Sequence, residues 1–70
     1  MTYMEKFGRY EVRCEYDGYS KWFKTRDNAQ RHFDDLTADL TADLDGTDEA
    51  EVVVLVDLKT GETLDRQEIN

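Results

Sequence analysis

Two side chains of this 70-residue chain have chemistry suited to catalysis, and each occurs once: His32 is the only histidine and Cys14 the only cysteine. A catalytic histidine needs a second polar group that holds it in place, and no serine or threonine stands in a motif with this one. Helical spacing places His32 on a solvated flank near Asp35 and Asp39. Cys14 falls on the core side of a strand, where we expect a small buried apolar side chain. The sequence therefore predicts no enzyme activity and no cofactor.

Binding of a hard cation is the second chemistry to consider, because acidic, oxygen-rich segments are its usual ligands. In "DLDGTDEAE", Asp43, Asp45 and Gly46 are spaced like the third, fifth and sixth positions of an EF-hand loop. Thr41 stands where the first aspartate belongs and Val52 where the bidentate glutamate belongs. Since both ends of the motif fail, we predict no metal site.

The net charge of −8 is unevenly distributed along the chain. Residues 1–31 have seven basic and five acidic side chains, a net charge of +2, whereas residues 32–70 have two basic and twelve acidic ones, a net charge of −10. Such a field repels nucleic acids and membrane surfaces and favours basic partners. We expect a protein partner with a basic surface, no direct nucleic-acid binding and no membrane association.

The first element that must position these groups is a β-hairpin. In "RYEVRCEYDGYSKWFK" apolar and charged residues alternate with the period of two typical of half-buried strands. Asp17-Gly18 favours a two-residue type I′ turn. That turn would place Cys14 opposite Lys21 and Trp22 opposite Arg13.

A long amphipathic helix follows from about Arg26 to Leu44, with Thr25 as its N-cap and Gly46 just past its end. Its apolar positions recur at spacings of three and four and form one narrow stripe. They are Ala29, Phe33, Leu36, Leu40 and Leu44.

Two strands complete the chain. "VVVLVDL" is a continuous β-branched run typical of a strand covered on both faces, Gly61 suits a bulged hairpin loop, and "ETLDRQEI" is a polar edge strand. The order ββαββ predicts one α+β domain over residues 1–70. Its four-stranded antiparallel sheet has the strand order 2-1-3-4, and one helix packs on one face.

One helix cannot cover both faces of that sheet. Either Val53 and Leu55 or their neighbours must point away from the helix, on the same side as Trp22. Tryptophan and arginine are enriched at the centres of protein interfaces. We predict that Trp22, Arg13, Val53 and Leu55 contact a partner or a second copy of the chain; a tryptophan that only caps the sheet edge is the alternative.

The acidic stretch "DDLTADLTADLDGTDEAE" has three explanations: solvation, adaptation to a salt-rich cytoplasm, or mimicry of nucleic acid. From Asp34 to Asp45 a helix rises about 16 Å, so five carboxylates give one charge per roughly 3.3 Å, close to the 3.4 Å per phosphate of one DNA strand. Repulsion along the helix costs a few tenths of a kcal/mol per pair. The predicted acidic ridge comprises Asp34, Asp35, Asp39, Asp43, Asp45, Asp48 and Glu49.

In size, charge and ββαββ order the chain resembles small acidic inhibitors from phages and mobile elements, including anti-CRISPR proteins and other DNA mimics. The resemblance lies in "YEVRCEYDGYSKWF", the helix and "VVVLVDLKTGETL", and involves no diagnostic motif. It implies an inhibitor whose partner is a bacterial defence complex or another nucleic-acid-binding protein. The single cysteine, which has no partner for a disulfide, fits a reducing cytoplasm, the host cytoplasm if the protein is phage-encoded. The other hypothesis is a small housekeeping or regulatory domain, acidic for solubility or salt adaptation, that self-associates through the sheet face around Trp22.

Overall fold

The computed structural model describes residues 8–69 of the chain. Strand β1 spans Tyr10–Cys14, β2 Ser20–Phe23, β3 Glu51–Asp57 and β4 Glu62–Ile69, and the helix α1 spans Arg26–Leu44. All strand pairs are antiparallel and the sheet order is β2-β1-β3-β4. The predicted α+β class, element order and strand order are confirmed.

The predicted register of the first hairpin is wrong by two residues. Lys21 lies opposite Val12, not opposite Cys14. Because side chains alternate with a period of two, a shift by an even number leaves each residue on its predicted face. Trp22 and Arg13 therefore still lie on the face away from the helix.

The turn explains the shifted register. A type I′ turn needs a positive φ at both central residues, but of Asp17 and Gly18 only the glycine adopts one, at 76°. Counted from the hydrogen-bonded pair Cys14–Tyr19, the loop has four residues, 15–18, instead of two. Gly18 N–H donates to the Cys14 carbonyl at 3.0 Å, and Cys14 N–H donates to the Tyr19 carbonyl at 2.9 Å.

The second hairpin closes in the same way. Gly61, with φ of 77°, donates its N–H to the Asp57 carbonyl at 2.7 Å across a four-residue loop. The pairing then shifts between Leu55 and Val56, which inserts an extra residue in β4. As a result, consecutive residues Leu64 and Asp65 both reach the helix side, where Leu64 packs on the core and Asp65 accepts from Gln30 of α1.

The helix begins and ends as its capping residues predict. The Thr25 hydroxyl accepts from the Asn28 N–H at 3.3 Å, and the chain leaves the helix at Asp45, followed by Gly46 with φ of 80°. Ala29 and Phe33 in the first half are buried against the sheet. The leucines of the second half are only half-buried.

The core lies between α1 and the sheet. Val12, Val53 and Leu55 are 0 % exposed there. The assignment of Val53 and Leu55 to the face away from the helix is thus wrong, and the alternative, that their neighbours point away, is correct. In an all-apolar strand either face can satisfy the pattern, and only the pairing with β1 decides between them.

A second apolar cluster lies on the far face of the sheet. Val52, Val54 and Val56 of β3 are between 3 and 8 % exposed and pack with Leu58. The central strand is therefore buried on both faces, as its continuous apolar run predicts.

An ion pair fastens the start of β1 to the end of β3. Arg9 donates from Nε and from Nη2 to the two carboxylate oxygens of Asp57 at 3.0 and 2.8 Å. This bidentate hydrogen bond holds the pKa of Asp57 below its ordinary value. The Asp57 carboxylate also accepts from the Lys59 N–H and so orders the following loop.

Candidate functional site

The exposed carboxylates of α1 and of the loop after it form one acidic surface. Asp35, Asp39 and Asp43 follow each other at intervals of four residues, so they form one row with a step of about 6 Å. The row continues into the loop that connects α1 to β3. We define the acidic surface as these exposed residues: Asp35, Asp39, Asp43, Asp45, Asp48 and Glu49.

A threonine holds the loop part of the acidic surface in place. The Thr47 N–H and hydroxyl both donate to the carbonyl of Leu44, at 3.0 and 2.8 Å. The same hydroxyl accepts from the Glu49 N–H at 3.2 Å. These bonds satisfy a terminal carbonyl of the helix and fix the direction in which the chain carries Asp48 and Glu49.

Asp34 does not belong to this row. It is about 100° from Asp35 on the helix, and it shares the Gln30 amide with Asp65 of β4, each at 3.2 Å. Asp34 therefore lies on the flank toward β4, while the other six predicted ridge residues lie along the row and the loop. The predicted ridge thus has two sides at its start, because Asp34 and Asp35 project from different sides of the helix.

Within residues 8–69, ion pairs neutralise carboxylates of the sheet and of the first hairpin loop, and not those of the acidic surface. Arg9 pairs with Asp57, Arg13 with Glu11 and Glu15, and Arg66 with Glu68. None of the six carboxylates of the acidic surface lies within 4 Å of a basic nitrogen in that part of the chain. Residues 32–58 contain no lysine or arginine at all, so the field of this surface is not screened by neighbours in sequence.

A groove lies beside the acidic surface. It has a volume of about 250 Å³ and runs between the C-terminal half of α1, the β1–β2 loop and the loop after the helix. Leu36, Leu40 and Leu44 form one wall, and Cys14 and Tyr19 line the opposite side. Its lining also includes the carboxylate residues Asp17, Glu49 and Glu51 and, among residues 8–69, no basic residue.

Sequence reasoning missed this groove, although a comparison of lengths indicates it. A 19-residue helix is about 28 Å long, whereas five-residue β1 and four-residue β2 are roughly 17 and 13 Å long. The helix therefore extends past the first hairpin, and the three leucines of its second half are left half-buried.

Glu51 anchors the mouth of the groove. Its side chain is buried, and its Oε1 accepts the Tyr16 N–H at 2.9 Å. A second bond, from the Glu15 N–H to the Val52 carbonyl at 2.9 Å, ties the same loop to β3. Both bonds hold the hairpin loop against β3, so this side of the groove is formed without a partner.

Cys14 at the bottom of this groove is buried, as predicted. Burial, and to a smaller extent the carboxylates of Glu51 and Asp17, raise the pKa of its thiol to about 11. The thiol is therefore neutral near pH 7, where only a thiolate would act as a nucleophile or a metal ligand.

The prediction that His32 lies on a solvated flank is wrong. Its Nε2 lies 2.8 Å from the Tyr19 hydroxyl oxygen, and its ring centroid is 5.2 Å from that of Phe23. Burial against β2 lowers the pKa of His32, the ammonium of Lys21 lowers it further, and the carboxylate of Asp35 opposes both. His32 fastens the helix to the edge strand, a tertiary contact that helical periodicity does not report.

The lowered pKa of His32 has a consequence for stability. The folded state binds the proton less tightly than the unfolded chain, so the stabilisation is present above the unfolded pKa of about 6.5 and is lost as pH falls through the folded pKa. Between pH 7 and 5.5 we expect the parent to lose more unfolding free energy than His32→Gln. An NMR titration that gives His32 a pKa above 6.5, or identical pH profiles of the two proteins, would contradict this.

On the far face of the sheet, polar side chains surround the buried valines. Trp22 is half-buried there opposite Glu11, not opposite Arg13 as predicted. Arg13 lies beside Val54 in register, and its side chain is 44 % exposed. Self-association through this face stays a prediction, with Val52, Val54 and Val56 in place of Val53 and Leu55.

The fold and the site define a class of molecule in structural terms only: a ββαββ domain with an acidic helix and an adjoining apolar groove. No family model, curated protein or solved structure matches the chain. No group of three or more His, Cys, Asp or Glu side chains within residues 8–69 is arranged to hold a metal ion. The helix in that range is too polar to span a bilayer.

Proposed function

We propose that this protein is a non-catalytic binding module whose acidic surface occupies a basic, nucleic-acid-binding site of a partner protein, in the manner of a phage-type (anti-CRISPR-like) inhibitor. The observation that carries the proposal is the distribution of ion pairs. Arg9, Arg13 and Arg66 pair with carboxylates of the sheet or the hairpin loop. The carboxylates of the helix and its loop stay unpaired with any basic group in residues 8–69.

Electrostatics explains what such a surface does. A cluster of like charges is unfavourable within the protein, since pairs four residues apart on a helix repel each other. The same cluster accelerates encounter with a basic groove, on the order of 10- to 1,000-fold at low salt. A surface used only for solvation would intersperse lysines, as the N-terminal part of the chain does.

The test is a triple variant, Asp35→Asn with Asp39→Asn and Asp43→Asn. We expect it to fold with equal or slightly higher stability, because three mutually repelling charges are removed. For the partner we expect the association rate constant to fall on the order of tenfold, with a smaller change in the dissociation rate. Both effects should shrink as salt is raised.

The experiment captures proteins from a bacterial lysate on the immobilised chain and elutes them with a double-stranded oligonucleotide. The matched control also removes three negative charges, but from residues outside the acidic surface: Asp34→Asn, Glu62→Gln and Asp65→Asn. The proposal requires proteins that nucleic acid displaces, that the control variant retains and that the triple variant loses. Capture that is insensitive to the oligonucleotide, or equal on both variants, would leave the acidic surface a solvated face.

A further inference from the structure

We infer that the groove between α1 and the first hairpin takes an apolar side chain from a basic segment of the partner, so that the acidic surface and the groove bind one continuous sequence. The inference rests on the proposed function, because it names the chemistry of the segment that this surface binds. It adds an anchoring site that the charge pattern by itself does not contain.

The size of the groove selects a side chain rather than a small molecule. Clefts for drug-sized ligands measure about 300–1,000 Å³, and this groove, at about 250 Å³, is smaller. Its wall of Leu36, Leu40 and Leu44 is apolar and half-exposed. An aliphatic or aromatic side chain that enters would cover these leucines and remove apolar area from water.

The charges around the groove indicate which residues of the partner lie next to the inserted side chain. Asp17, Glu49 and Glu51 line it, and Asp43 lies about 60° from Leu40 around the helix. With no basic residue among the described residues of the lining, lysine or arginine residues next to the inserted side chain find carboxylates within reach. An acidic or neutral flanking sequence would gain nothing there, so the occupant is a basic segment with an apolar residue in it.

The two parts of the surface would act on different rates. Exposed charges mainly speed association, whereas an apolar anchor in a preformed pocket slows dissociation. The pocket is preformed here because Glu51 and the Glu15 N–H hold the hairpin loop against β3. Ordering costs on binding are therefore low.

Filling the groove separates the two contributions. Ala50 lines it, is exposed and lies outside helix and strand, so Ala50→Trp blocks the groove without altering a charge. Ala42→Trp is the matched control, since Ala42 is exposed on the solvent side of α1, about 160° from Leu40. Both variants should keep the circular dichroism spectrum of the parent.

The probes are two fluorescein-labelled peptides of lysine and arginine that differ only at the centre, with leucine in one and serine in the other. At physiological salt we expect the leucine peptide to bind the parent about tenfold more tightly than the serine peptide. Ala50→Trp should abolish this difference in affinity between the two peptides, and Ala42→Trp should retain it. The leucine peptide should shift the NMR methyl signals of Leu36, Leu40 and Leu44.

The outcomes distinguish failure of this inference from failure of the proposed function. Any of three results would overturn the inference about the groove. The two peptides bind the parent with nearly equal affinity, or Ala50→Trp leaves the ratio of their affinities intact, or neither peptide binds. The triple asparagine variant should bind both peptides more weakly by the same factor, and so keep the ratio of their affinities. If the ratio holds but the lysate yields no protein that nucleic acid displaces, the groove stands and the nucleic-acid-binding partner is wrong.

Discussion

Leu55→Ala should remove much of the stability of this domain. Leu55 is fully buried in the central strand under α1, between β1 and β4. Truncation of a buried leucine to alanine costs about 2–5 kcal/mol, because transfer free energy is lost and a cavity remains. At about 0.05–0.15 kcal/mol per residue, a chain of 70 residues has roughly 4–10 kcal/mol in total. Urea denaturation followed by circular dichroism measures the loss.

Leu58→Ala is the matched control for this experiment. It makes the same truncation at a half-buried position next to the far-face valines. We expect a loss of about 1 kcal/mol there, the usual size for a partly buried site. If Leu55→Ala cost no more than Leu58→Ala, Leu55 would not be the core residue that the pairing of β1 with β3 makes it.

Val56→Asp should unfold the protein. Val56 is 8 % exposed on the far face, opposite Glu11 in β1. A carboxylate there is taken out of water beside another carboxylate, and the nearby Arg13 already pairs with Glu11 and Glu15. An uncompensated buried charge costs about 3–5 kcal/mol, to which the lost apolar burial adds.

Thr63→Asp provides the comparison, because Thr63 lies opposite Val56 on the edge strand and is exposed. A surface substitution of this kind changes stability by about 0.5 kcal/mol or less. Thermal unfolding of the two variants decides the matter. A folded Val56→Asp protein as stable as Thr63→Asp would show that the far face is open to water, which would favour the self-association hypothesis.

The burial of both faces of β3 also indicates which surfaces of the molecule remain available for a partner. With β3 buried on both sides, the middle of the sheet offers little apolar surface, whereas the half-buried leucines of the C-terminal half of α1 line the groove. The groove with its acidic surround is therefore the better candidate for a partner than the face around Trp22.

Local pattern was sufficient for the elements and their order. Thr25 as N-cap, the spacing of the helical leucines and Gly46 predict α1 with its observed bounds. Alternation predicts β1 and β2, and the apolar run predicts a central β3. Strand order followed because short connections and an all-antiparallel sheet leave few arrangements.

Predictions that needed a long-range distance were less successful. The hairpin register failed because the conformation of Asp17, not the sequence Asp17-Gly18 alone, sets the loop length. His32 was misplaced because its position on the helix says nothing of the edge strand that packs against it. The faces of Val53 and Leu55 stayed open because both faces of β3 are apolar.

Local sequence is sufficient to show where the chain forms helix and strand, where the charge accumulates and which residues are apolar. These properties depend on neighbours within a few residues, and periodicity records them. The register of β1 with β2, the burial of His32, the two faces of β3 and the groove emerged only from the folded structure. Each of these depends on how far elements distant in sequence overlap in space, and no local pattern encodes that length.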